Sequence, residues 1–143
     1  MTIWFKPYTV EDLNNFRGVH KDNVNKVLDI MFTDVGDDYL KATMPVDHRT
    51  IQPFGILHGG VSCVLGESLG SVAAWMCIDP AKQKAVGLEI HAHHLRPVSS
   101  GIVTGICKPL HMGRTMHLWQ IDTFTDEGKM NCTMRISVAI RDQ

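Results

Sequence analysis

A chain of 143 residues with 44% hydrophobic and 20% charged residues is expected to fold as one domain (1–143) around one core, and disorder is excluded. The formal net charge is −1 and no lysine–arginine run is visible, which excludes the broad basic surface of a nucleic-acid or anionic-membrane binder. Residues 61–78 are too interrupted by Ser62, Glu67, Ser68 and Ser71 for a membrane span, and the N-terminus lacks the order of a signal peptide. The expectation is a cytoplasmic protein. Its cysteines (Cys63, Cys77, Cys107, Cys132) form no C-x-x-C pair and read as reduced, mostly buried thiols.

Thr9 ahead of Val10-Glu11-Asp12-Leu13 reads as the N-cap of a short helix with acids in its first turn. Residues 23–28 read as a second short helix. Residues 30–33 and 39–44 are expected strands, joined through Val35-Gly36-Asp37-Asp38, with Pro45 ending the second. Residues 59–78 carry the clearest pattern. Val61, Val64, Leu65, Leu69, Val72, Ala73 and Met76 fall on one helical stripe. The other side carries Gly60, Cys63, Glu67, Gly70 and Ala74, so the helix is expected to be buried all round. Its small residues suggest close approach of another element, such as the same helix of a partner subunit. Strands at 85–94, 101–107, 116–124 and 130–140 follow, separated by turns at 97–101, 111–114 and 126–128. Consecutive strands joined by short turns are expected to pair antiparallel. The fold class is α+β, one long helix on an antiparallel sheet.

Glu67 is the only charged residue between Arg49 and Asp79, in the middle of that helix. An ionised carboxylate in apolar surroundings is costly unless paired or used. One reading satisfies it with Ser68, Ser71 or a partner surface. The other makes it a nucleophile or general base, with Ser71 at i+4 holding the carboxylate or a water. His58-Gly59-Gly60 opens the helix, where free backbone N–H groups and the helix dipole favour an oxyanion. Each of these residues also has an ordinary structural reading: a tight turn, a hydrogen-bonded histidine, a surface glutamine at Gln52. Gly59 and Glu67 are eight residues apart, about 12 Å along the axis at ~1.5 Å per residue. A nucleophile and an oxyanion donor must both reach one carbon at ~3 Å. The same helix therefore cannot easily supply both, whereas two antiparallel copies can, and an active site shared across a two-fold dimer is expected. His91, His93 and His94 invite a metal reading, but only Glu89 is a nearby acid and no metal is expected. Lys108, Arg96 and Arg114 lie near strand ends, either solvated or recognising ligand phosphates.

The sequence resembles the hotdog-fold acyl-CoA thioesterases over nearly its whole length, most closely the aryl-acyl branch serving menaquinone and enterobactin biosynthesis. The resemblance rests on Asp38-Tyr39-Leu40-Lys41-Ala42-Thr43-Met44-Pro45-Val46-Asp47, on Gln52 through Gly60, on Glu67-Ser68, on Val86-Gly87-Leu88-Glu89-Ile90 and on Cys107 through Gly113. It implies a hotdog fold and hydrolysis of an acyl-CoA, with an aromatic acyl group such as 1,4-dihydroxy-2-naphthoyl. Glu67 would be the catalytic carboxylate, as nucleophile or base. The Gly59 N–H would bind the oxyanion, His58 would support that loop, Gln52 would align the thioester or water, and Ser71 would stand beside the carboxylate. Coenzyme A contacts would come from Gly87, from His94, Leu95, Arg96 and Pro97, and from the turn His111, Met112, Gly113, Arg114, Thr115 and Met116. The resemblance further implies no cofactor beyond the coenzyme A of the substrate, a dimer-of-dimers tetramer, and an acyl carrier protein as an alternative thioester carrier. His91 and His93 depart from the family, whose members often carry Asn there, and the departure bears on acyl specificity. The alternatives are a hotdog hydratase or dehydratase, and a non-catalytic acyl-thioester-binding module.

Overall fold

The computed structural model describes residues 1–16 and 20–143. Helix α1 (Val10–Asn15) opens as expected: Thr9 Oγ1 accepts from the Asp12 amide and the Asp12 carboxylate accepts from the Thr9 amide. Asn23 caps α2 (Val24–Val27) by accepting from the amides of Asn25 and Lys26. The long helix is α3 (Gly59–Met76). Among the described residues six strands form one sheet: β1 (Met31–Val35), β2 (Leu40–Pro45), β3 (Gln83–His94), β4 (Ile102–Met112), β5 (Met116–Phe124) and β6 (Met130–Asp142). Their order is β1-β2-β4-β5-β6-β3, and all pairings are antiparallel. Helix α3 packs against β2 through β6.

Alternation in the strands builds the core. Leu40, Ala42 and Met44 of β2, Trp119 and Ile121 of β5, and Met134, Ile136 and Val138 of β6 are buried with Leu65, Leu69, Ala73 and Met76 of α3. Each large side chain among them contributes ~1.5–3 kcal/mol by leaving water.

The stripe expected on the long helix is displaced. The buried residues are Ser62, Leu65, Gly66, Leu69, Gly70, Ala73, Ala74 and Met76, while Val61, Val64 and Val72 are half-buried. Two glycines decide this by letting the helix backbone lie against β6. A Cβ at Gly66 would stand 2.6 Å from Met134 Sδ, and one at Gly70 would overlap Ile136 Cγ2. Gly70 therefore serves the helix–sheet contact within the chain, and Ala74 is buried there too. Of the face expected to meet a partner, Gly60, Cys63 and Glu67 remain accessible. The helix stops at Met76, with Cys77 as its C-cap, two residues before the expected end.

Two strand expectations also change. Strand β4 runs to Met112 instead of Cys107. Pairing with β2 ends at Leu40↔Cys107, so beyond it β4 has β5 as its neighbour and an open edge. Pro109, which lacks an N–H, is tolerated on such an edge, and a bulge follows between Pro109 and His111. Consecutive β3 and β4 do not pair. β3 lies on the far edge beside β6, and residues 95–101 cross the sheet end to reach β4. Three strand spacings are ~14 Å, which seven residues span with ease. Leu95 N–H donates to Asn131 O at 2.8 Å, and Leu57 N–H donates to Val98 O at 2.7 Å. The crossover is thus tied to the segment entering α3.

All four cysteines are free, with Cys107 and Cys132 buried. Among the described residues no helix is long and apolar enough to cross a membrane.

Candidate active site

The entry to α3 is a compact loop. Arg49 pairs with Asp47 through two hydrogen bonds and holds its carboxyl down at about 2. The buried Thr50 hydroxyl donates to Pro45 O at 3.0 Å. Gln52 N–H donates to Ile56 O at 2.8 Å, across a turn where Gly55 adopts φ +85°. The Gln52 side-chain oxygen accepts from the Phe54 amide, leaving its NH2 group for other partners. His58 is the N-cap of α3, and its Nδ1 accepts from the Gly60 amide at 2.9 Å. That hydrogen bond holds the H-G-G turn in shape.

Gln52 and Gly59 line one cleft of about 520 Å³ together with His94, Leu95, Arg96 and Pro97. Two groups distant in sequence are thereby joined. The His94 ring lies so close over Gly59 that a Cβ there would be 2.8 Å from its Nε2.

Glu67 stands away from this cleft, two turns along α3. Its Oε1 occupies the space above Gly87 of β3, where a Cβ would collide with it. Gly87 thus makes room for the carboxylate, and β3 bulges just after it, between Gly87 and Glu89. Burial raises the Glu67 pKa above the ordinary glutamate value, and the Ser71 hydroxyl opposes part of that rise. The nearby Cys63 thiol is raised by burial and by the Glu67 charge. Ser68 is not the carboxylate's partner; its hydroxyl donates to Asn25 Oδ1 at 2.7 Å.

Beside Ser71 lies a cavity of about 660 Å³, lined by Tyr8, Phe16, Asn25, Phe32, Val72 and Trp75. Tyr8 and Phe16 bracket Trp75, with ring centroids 5.5 and 5.7 Å from it.

The third expected group, His111 to Met116, is not brought to the cleft at His94; it lies at the level of Val86, two strands across the sheet. His111 and Met112 end β4, Gly113–Thr115 form the turn, and Met116 begins β5. Met116 pairs with Ala139, which pairs with Val86, whereas His94 pairs with Cys132. The turn is therefore displaced from His94 by about eight residues of strand, ~26 Å. His91 and His93 point away from His94, and His91 Nε2 lies 2.5 Å from Glu89 Oε1. Among the described residues no His, Cys, Asp or Glu cluster suits a metal ion.

Residues 54–132 match the Thioesterase superfamily. The chain is 50% identical to the 1,4-dihydroxy-2-naphthoyl-CoA hydrolase of Escherichia coli K12, over 96% of this chain and 98% of that one. It is 46% identical to the proofreading thioesterase EntH of Cronobacter sakazakii, over 96% and 98% of the two chains. The chain belongs to the Thioesterase superfamily. A crystal structure of a mutant thioesterase PA1618 from Pseudomonas aeruginosa superposes with a TM-score of 0.95 at 42% identity, covering 99% of this chain and all of that one. The six-stranded sheet around α3 is thus the hotdog fold, and the protein is a thioesterase.

Several cavity-lining residues of this thioesterase escaped sequence reasoning. Tyr8 and Phe16 flank α1, Asn25 lies in α2 and Trp75 in α3, and no local spacing links them. The signal available was compositional: Trp4, Phe5, Tyr8 and Phe16 crowd the first sixteen residues.

Proposed function

We propose that residues 1–143 form one thioesterase domain that hydrolyses an aromatic acyl-CoA to the free acid and coenzyme A. Glu67 acts as nucleophile or general base, and the Gly59 amide of a second subunit binds the oxyanion. The observation that carries this reading is the carboxylate itself: burial raises it, Ser71 stands beside it, and an aromatic-lined cavity of about 660 Å³ adjoins Ser71. Such a cavity suits an aryl ring through stacking and apolar burial. The 50% identity to a 1,4-dihydroxy-2-naphthoyl-CoA hydrolase makes that acyl group the first to test.

In the base form, Glu67 takes a proton from water and the water oxygen attacks the thioester carbon. The negative charge that develops on the carbonyl oxygen is met by the Gly59 N–H at the positive end of α3. Collapse breaks the C–S bond, and the coenzyme A thiolate leaves and takes up a proton. In the nucleophile form the carboxylate attacks first, and water then cleaves the resulting anhydride. His58 keeps the Gly59 turn in place, and Gln52 offers its NH2 group to the thioester or the water.

The dimer has support beyond the separation along α3. β3 is a twelve-residue edge strand with exposed Val86 and Leu88. A long edge of that kind invites pairing with another strand. Antiparallel pairing of two such edges would carry His94–Pro97 of one subunit toward Glu67 and the 111–116 turn of the other, so that both expected coenzyme A groups serve one ligand.

The test is a panel of 1,4-dihydroxy-2-naphthoyl, benzoyl, phenylacetyl and short alkyl CoA esters, plus an aryl ester on an acyl carrier protein, compared by kcat/KM. Aryl-CoA esters are expected to lead. Glu67→Gln is expected to lower kcat by ~10²–10⁴-fold while CoA-ester binding survives. Near-normal turnover in that variant would refute the role of the carboxylate.

A further inference from the structure

Cys132 lies on β6 directly opposite His94 of β3. Its Sγ is 3.6 Å from His94 Nδ1. The other ring nitrogen, Nε2, is the one that fronts Gly59, 2.8 Å from where a Cβ would stand. The imidazole therefore bridges a buried thiol and the cleft that Gln52 and Gly59 line. Burial above all pushes the Cys132 thiol up to about 11, so it keeps its proton at neutral pH. A protonated thiol has a hydrogen to give, and an imidazole nitrogen is a better acceptor than sulfur. When Sγ–H donates to Nδ1, the single proton of the neutral ring must sit on Nε2.

We propose that Cys132 is a positioning residue that fixes His94 in the Nε2–H tautomer, so that the ring presents a hydrogen-bond donor to the thioester held at Gly59. No proton is transferred; His94 keeps its hydrogen and supplies a second donor beside the backbone amide. The proposal rests on the thioesterase reading of the cleft and adds to it a residue outside the cleft.

The tautomer can be read without turnover, by long-range ¹H–¹⁵N correlation of the histidine ring in the full-length protein at a pH where His94 is neutral. The wild type is expected to show Nε2–H, Cys132→Ser to keep it because a hydroxyl also donates, and Cys132→Ala to show a mixture. Kinetics with an aryl-CoA ester should follow. Cys132→Ala is expected to lower kcat about threefold to tenfold, the worth of one neutral hydrogen bond, with KM little changed. Cys132→Ser is expected to stay near wild type. His94 is exposed, so its variants load the fold little. His94→Gln, which places an N–H near the Nε2 position, should exceed His94→Asn in kcat. A wild-type Nδ1–H tautomer, or a Cys132→Ala protein unchanged in both tautomer and kcat, would overturn the proposal. If Glu67→Gln retains turnover while the tautomer behaves as stated, the fault lies in the catalytic reading and not in the Cys132–His94 pair.

Discussion

The first turn of α3 and its middle offer opposite chemistry. The first turn and the cleft beside it offer donors and no acid: the Gly59 N–H and the Gln52 NH2 group, with the His94 ring over Gly59. The middle has an acid whose pKa burial raises, with Ser71 beside it and an aromatic cavity adjoining. Thioester hydrolysis needs both kinds of group at one carbon. Under the proposed mechanism each chain would carry two half-sites that its own helix cannot bring together, and catalysis would depend on how two chains are set against each other.

The largest effect should come from mixing two dead halves. Glu67→Gln and His58→Ala proteins, each nearly inactive alone, are expected to recover up to about a quarter of wild-type activity when co-expressed as mixed dimers. In a heterodimer one site carries both lesions and the other carries neither. No recovery, with heterodimers present by mass spectrometry, would place both half-sites in one chain. Next, Trp75→Ala should lower kcat/KM for aryl-CoA esters by about tenfold or more and leave a short alkyl ester nearly unaffected. An equal loss on both would detach the cavity from acyl recognition.

A smaller effect should appear in pH dependence. Because the pKa of Glu67 is raised, kcat should fall on the acid side with a midpoint above the ~4.3 of an ordinary glutamate. For stability, a raised folded pKa means a contribution fully present below the unfolded pKa and lost as pH rises through the folded one. Glu67→Gln should therefore melt higher than wild type at neutral pH but not in acid; equal shifts at both pH values would contradict burial as the cause. The smallest effect concerns the scaffold alone. Gly70→Ala gains helix propensity but drives a methyl into Ile136, so chemical denaturation should show a net loss of about 1 kcal/mol.

The elements that the sequence declared best were those governed by local rules. Thr9 and Asn23 show their caps, the D-x-G turn shows its hairpin, and Glu67 shows itself by contrast with its neighbours. What could not be read was settled by approach between distant segments. Gly70 looks like a partner-facing residue until Ile136 is placed beneath it. Cys107 looks like a strand end until β4 is seen to run on to Met112 beyond its β2 neighbour. The 95–101 segment looks like a hairpin turn because nothing local distinguishes a crossover from one. In the candidate site, Gln52 and Gly59 were expected in the catalytic set and His94–Pro97 at coenzyme A, and the structure places both groups on one cleft; the aromatic wall was not legible, because Tyr8, Phe16 and Trp75 share no spacing. Gly87 was expected beside the ligand, and its immediate neighbour is the Glu67 carboxylate.

The hydrogen bond from Leu57 to Val98 gives the donor end of the helix a mechanical character. It fastens the crossover that follows His94–Pro97 to the residue just before His58. The His94–Pro97 strip and the H-G-G turn are thereby tied together, so an opening of one is expected to drag the other. Amides of the two segments should exchange with solvent in a single cooperative opening, and a loop insertion at 99–100 would be felt at Gly59 as a shift of the helix entry.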